Sequence, residues 1–330
     1  QDALTITVSD AADVQQAERF VNESGTSVTF DLTDTATSVA ARSELADQAD
    51  DITLTTAASV AEAQNLVGFN NGGALVYASP EAIEDTAQNL LAADASGVFD
   101  SISANTNALG LTSFDGIVIE NDAAGELSVT QYNEMVAIVG EPTVANWTYS
   151  IIDTPAVLDG LATGTAAEQA ILTNATDVSF DGAPTVTQLT NVNNVIGAGT
   201  LTGTIYAPVA DFASFTNSNY DLTVFFTDTA DSAVDAGTVS TFAAKNAGSM
   251  TFLNAVDLQG TFAEVQAVVT DPKVNSGSAN ATISDTISVT QANEIAANTN
   301  KVTATLSTGD LASFDNLAET VNEYTITMNN

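Results

Sequence analysis

A unit of about two dozen residues recurs along this chain: a short threonine-rich strand, then an amphipathic stretch. Ile6 to Phe30 and Phe30 to Leu54 are 24 residues each, and Leu54 to Tyr77 is 23. Near the other end, Ile283 to Ala304 is 21 and Ala304 to Ile326 is 22. A fixed period in this range marks stacked repeats, because one strand–helix unit cannot bury its apolar face alone. The strand candidates alternate, with Leu4, Ile6 and Val8 on one side and Thr5 and Thr7 on the other. Such alternation gives one buried and one wet face, whereas doubly wound sheets read as continuous apolar strands. The pattern predicts an α/β fold: a parallel strand–helix solenoid, leucine-rich-repeat-like or β-solenoid, with coils of about 21–32 residues.

The linkers carry helix starts. Ser59-Val60-Ala61-Glu62 opens a run to Leu66, Ser128-Val129-Thr130-Gln131 one to Val139, and Ser288-Val289-Thr290-Gln291 one to Ala297. In each, the serine hydroxyl can cap the first turn while Glu or Gln three residues on reaches back. Another amphipathic run spans Leu311 to Val321. Ser128–Glu134 reads SVTQYNE and Ser288–Glu294 reads SVTQANE, while Asp211–Asn217 (DFASFTN) echoes Asp310–Asn316 (DLASFDN). These echoes favour repeat ancestry and one array over residues 1–330. Spacing is uneven, however: Ile119 to Ile151 is 32, Ile151 to Phe180 is 29 and Phe252 to Ile283 is 31. Either a subdomain boundary falls within 90–145 or the longer gaps are loops on one face. Strand signals around Ile102 and Ile205 are the weakest.

Charge narrows the partners. Five basic residues (Arg19, Arg42, Lys245, Lys273, Lys301) stand against 42 acidic ones, a formal charge of −37. Nucleic acid and anionic lipid both need clustered Lys or Arg, so neither is expected. No apolar run is long enough to span a membrane, and no membrane insertion is expected. The chain has no His and no Cys. Ser-His-Asp and Cys-His catalysis, disulfides and the commonest zinc sites are therefore excluded. Carboxylate pairs remain available for a polysaccharide-acting enzyme, but Trp147 is the only Trp to serve as a sugar platform. The expectation is no enzyme.

The recurring pairs Asp34-Thr35, Asp153-Thr154, Asp228-Thr229 and Asp285-Thr286 each read as strand end followed by helix start. One reading makes them helix caps, which hold free backbone N–H groups. The other makes Asp34, Asp153, Asp228 and Asp285 a carboxylate ladder for Ca2+, which takes oxygen ligands. Thr5/Thr7, Thr53/Thr55, Thr303/Thr305 and Thr325/Thr327 form Thr-x-Thr strands. They suit a wet strand face and raise ice or glycan binding as alternatives.

Units such as Ile283-Ser284-Asp285-Thr286 leading into SVTQANEI resemble the Thr/Ala/Asp-rich repeats of secreted bacterial surface-layer proteins and of giant calcium-dependent adhesins exported by type I systems. The resemblance covers most of the chain. The GGxGxD nonapeptide of many such proteins is absent, so that family's calcium positions are not carried over. The resemblance implies an extracellular, secreted or cell-surface protein. A strand near residue 3 and another ending at Met328 leave no polar capping unit in the sequence. Uncapped repeats expose apolar layers and strand edges. The expected function is thus self-assembly, end to end, into a surface layer, filament or matrix fibre. A ligand-binding adhesin module is the alternative, and a polysaccharide-acting enzyme comes third.

Overall fold

The computed structural model describes residues 6–8, 10–24, 28–67, 75–77, 83–96, 117–119, 123–139, 147–215, 219–277, 279–307, 314–317 and 321–326. Contacts divide the chain into two compact units, Gln1–Tyr149 and Ser150–Asn330. The sequence window for a boundary, 90–145, ends just before this division.

In the first unit the strands are β1 (Ile6–Thr7), β2 (Val28–Thr29), β3 (Leu32–Asp34), β4 (Ile52–Leu54), β5 (Leu75–Tyr77), β6 (Ile83–Asp85), β7 (Ile117–Ile119) and β8 (Ala123–Leu127). Between them run α1 (Val14–Ser24), α2 (Ala36–Ala40), α3 (Ser43–Ala46), α4 (Val60–Val67), α5 (Ala87–Ala95) and α6 (Val129–Val139). Pairing is parallel and follows chain order: β1 with β2, β3 with β4 with β5, β6 with β7. Parallel neighbours need a crossover connection, which these helices provide. The helices bury small and branched side chains against the strands: Val39 on α2, Ala63 and Leu66 on α4, Leu90 and Leu91 on α5. Tyr132, Trp147 and Tyr149 close one part of this core as a ring cluster, with centroids 4.7–6.0 Å apart.

The second unit is more regular. Its strands are β9 (Thr148–Asp153), β10 (Asp177–Phe180), β11 (Thr200–Ala207), β12 (Tyr220–Phe226), β13 (Ala233–Asp235), β14 (Met250–Phe252), β15 (Asp257–Gly260), β16 (Val274–Asn275), β17 (Asn280–Ile287), β18 (Lys301–Leu306) and β19 (Glu323–Ile326). Its helices are α7 (Pro155–Thr163), α8 (Ala166–Asn174), α9 (Val186–Val195), α10 (Ala236–Ala243), α11 (Phe262–Thr270) and α12 (Val289–Ala296), with a 3-10 turn over Val209–Ser214. Two parallel sheets result. One runs β9-β10-β11-β12-β14-β16, the other β13-β15-β17-β18-β19. From Tyr220 to Ala296 each unit gives one strand to each sheet and then a helix, whereas β18 and β19 both join the second sheet. The rows stay in register: Ile151, Val178, Leu201 and Tyr220 line up in the first sheet. Val234, Leu258, Ala281 and Val302 do so in the second. All eight are buried.

The two-sheet arrangement revises the sequence reading of several strands. Val28/Phe30/Leu32, read as one strand, is divided between β2 and β3, which pair with different partners. The 31-residue gap from Phe252 to Ile283 spans two different sheets. The true neighbours are Met250 with Val274, 24 residues apart, and Leu258 with Ala281, 23 apart. The weak signal at Ile205 belongs to β11, of eight residues, while that at Ile102 lies outside the described residues. So does most of the Leu311–Val321 run. Strand alternation is retained, as β12 and β18 alternate buried and more exposed positions throughout.

Candidate functional site

Helix starts are completed across units. A helix leaves its first N–H groups without intrahelical partners, and three residues close α4. Ser59 N–H donates to Glu62 Oε2 at 2.9 Å and Glu62 N–H to Ser59 Oγ at 3.2 Å. The N–H between them, on Val60, donates to Asp85 Oδ2 at 2.9 Å, 25 residues ahead in the chain. α11 repeats this, with Thr261 and Glu264 capping each other while Phe262 N–H donates to Asp285 Oδ1 at 2.8 Å. At α1, Asp13 and Gln16 cap each other and Val14 N–H donates to Asp34 Oδ2 at 3.1 Å. The capping boxes expected at Ser59, Ser128 and Ser288 are all formed. Those at Thr165, Thr185 and Thr261 were not foreseen.

The four candidate calcium ligands fall within this scheme. Asp34 receives Val14 N–H on one oxygen and Thr35 N–H on the other. Asp153 Oδ1 accepts from Thr154 N–H at 2.7 Å. Asp228 Oδ2 accepts from Val209 N–H at 2.9 Å and Asp285 Oδ1 from Phe262 N–H. Sequence reasoning had each Asp-Thr pair start its own helix. For Asp34 the labour is split, since Thr35 caps the following helix while Asp34 reaches back to the preceding one. Asp285-Thr286 instead lies within β17, and Asp228-Thr229 precedes β13 rather than a helix. Among the described residues no three Asp or Glu side chains gather where a metal ion could be held. The fifth pair, Asp85-Thr86, was missed although its dipeptide is the same. Asp85 is buried and takes three donors: Val60 N–H, Thr86 N–H and Asn89 Nδ2.

Bases mirror this at helix C-termini, where cations meet free carbonyls and the negative end of the dipole. Lys273 Nζ donates to Ala243 O and Asn246 O at 2.5 and 2.6 Å, closing α10 from the next unit. Lys245 Nζ donates to Phe215 O at 2.9 Å, just past the 3-10 turn. Arg42 meets Glu18, and Lys301 meets Glu323 on the neighbouring strand, each at 2.6 Å. Four of the five bases thus join one unit to another.

The outward sheet faces carry hydroxyls in rows. Ser179 and Thr202 share a hydrogen bond of 2.6 Å, and Thr204 lies opposite Thr223, as Thr282 does Thr303 and Thr305 does Thr325. On the first sheet the row ends in Tyr206 stacked on Phe225, ring centroids 4.9 Å apart and 14° between planes. A hollow of about 390 Å³ lies beside Asp235, Lys245 and Glu264. Its carboxylates already cap helices: Asp235 accepts from Gly237 and Thr238 N–H, Glu264 from Thr261 N–H. The Thr165 N–H, then the Thr165 hydroxyl, hold the exposed Glu168 carboxyl below its ordinary pKa. Among the described residues no helix is long and apolar enough to cross a membrane. Comparison with protein-family models, curated proteins and solved structures finds no match to this chain.

Proposed function

We propose that this chain is an extracellular structural protein whose strand–helix units form a solenoid. Its copies join end to end into a surface layer, filament or matrix fibre. The observation that carries this reading is the translational character of the contacts. Successive units meet through parallel ladders, a carboxylate from later sequence reaches the helix starts of α1, α4 and α11, and a later lysine closes the end of α10. A contact repeated by translation has no built-in stop, and a head-to-tail interface that does not close gives an open fibre. Among the described residues β19 is an outer strand of the second sheet, with Ile326 40 % exposed. Such an edge offers unpaired backbone groups to another strand. The acidic surface opposes association, and calcium aids it by screening and by bridging carboxylates between copies.

Negative-stain microscopy and sedimentation with calcium and with chelator test the proposal. Filaments or sheets are expected with calcium. Ile326→Lys, a charge placed on the outer strand, is expected to abolish them while leaving the melting temperature within a few degrees. Monodisperse monomers in both conditions, across a range of protein concentration, would remove the assembly reading.

A further inference from the structure

The first sheet of the second unit loses a strand partway along. Ser179 lies opposite Thr202, and the Phe180 side chain lies against Gly203, its Cβ 3.1 Å and a ring carbon 3.3 Å from where a Cβ on Gly203 would sit. Past that point β10 has ended and the chain turns toward Thr185, the cap of α9. β11 continues to Ala207 with β12 on its other side. Thr204 and Tyr206 therefore stand on a ledge without an in-register β10 neighbour. One face of the Tyr206 ring is held by Phe225. The residue is nevertheless 53 % exposed. Most other described aromatics are buried, including Phe212, Phe215, Tyr220, Phe226 and Phe242 in one cluster.

The surroundings select the occupant. Thr204, Thr223 and Thr251 line the same face and Asp221 stands one row back. Hydroxyl and carboxylate groups beside an exposed ring suit a polyol, whose C–H face packs on the ring while its hydroxyls hydrogen-bond at the flank. No Lys or Arg occurs in β10, β11, β12 or β14, and a net charge of −37 repels anionic polymers. With Leu253, 51 % exposed, the apolar part is one ring pair and one aliphatic side chain. That is small against the roughly 800 Å² per partner of a standard protein interface. We propose that the Tyr206–Phe225 ledge binds a neutral polysaccharide, with one hexopyranose ring packed on the exposed part of Tyr206. This goes beyond assembly and does not depend on it.

Affinity electrophoresis through gels containing a neutral β-glucan, a galactomannan or anionic alginate tests the site. Retardation is expected in at least one neutral gel and not in alginate. Tyr206→Thr, which keeps a strand-forming residue, should weaken binding about three- to tenfold, the scale of one ring contact. Tyr206→Phe should retain it. Saturation-transfer NMR on the unaltered protein supplies a readout that needs no variant: sugar C–H protons should receive saturation. Unchanged mobility in every neutral gel, with no transfer, overturns the proposal. So does a folded Tyr206→Thr that binds as tightly as the parent. A Tyr206→Thr effect on sedimentation without any on sugar binding would give the ledge to a second copy instead. Loss of fibres with sugar binding intact would defeat only the assembly reading.

Discussion

Asp85 concentrates the logic of the molecule in one side chain. It is buried and surrounded by three donors. A buried carboxylate is tolerable when its lone pairs are filled, and its removal strands the donors that filled them. Asp85→Ala is expected to cost about 2–3 kcal/mol, against about 1 kcal/mol for loss of an ordinary exposed cap. Chemical denaturation of both variants reads the difference directly. Surface pairs rank far lower: Arg19–Glu23, with both side chains over 70 % exposed and 3.7 Å apart, should change stability by less than about 1 kcal/mol when broken. Glu168 gives a pH signature. Its folded pKa is depressed by Thr165, so its contribution is present above the unfolded carboxyl range near 4.3 and fades as pH falls through the folded value. Glu168→Gln should lower the melting temperature at pH 7 and lose that deficit in acid, as thermal scans between pH 7 and 3 would register.

At the scale of the element, close approach sets the constraints. Gly203 has φ +148°, and a Cβ there meets Phe180. Gly203→Ala should destabilise by about 1–3 kcal/mol through backbone strain and displacement of the ring, measurable by urea denaturation. Gly248 is tighter, since a Cβ would sit 2.3 Å from Leu222 O in the neighbouring unit. Helix starts were the most legible elements in the sequence, because a capping box is local: Ser and Glu or Gln three apart suffice. Strand identity was legible from alternation, but not which of two sheets a strand joins. That depends on bends, such as the one between Thr29 and Leu32, that leave no periodic trace. Asp34 could be read as a cap but not assigned to its helix, for its partner Val14 lies 20 residues back. The lysines that close helix ends were read only as scattered charge. Their carbonyl partners, Phe215 and Ala243, stand 30 residues away.

For the whole molecule, charge and repetition pull in opposite directions. Forty-two acids against five bases make copies repel, while the end-to-end packing proposed above brings them together. Association should therefore strengthen as sodium chloride rises from about 0.01 M to 0.15 M, where the screening length falls from about 30 to 8 Å; light scattering at fixed protein concentration is the readout, and insensitivity to salt would argue against charge as the brake. One further consequence follows from the direction in which helix starts are closed. Val14, Val60 and Phe262 each wait for a carboxylate 20 to 25 residues downstream, and the lysines likewise look back from later sequence. A chain leaving a ribosome amino end first thus presents these layers unlatched until the later partners emerge. Maturation then runs as a travelling seam, always one layer behind the newest residue.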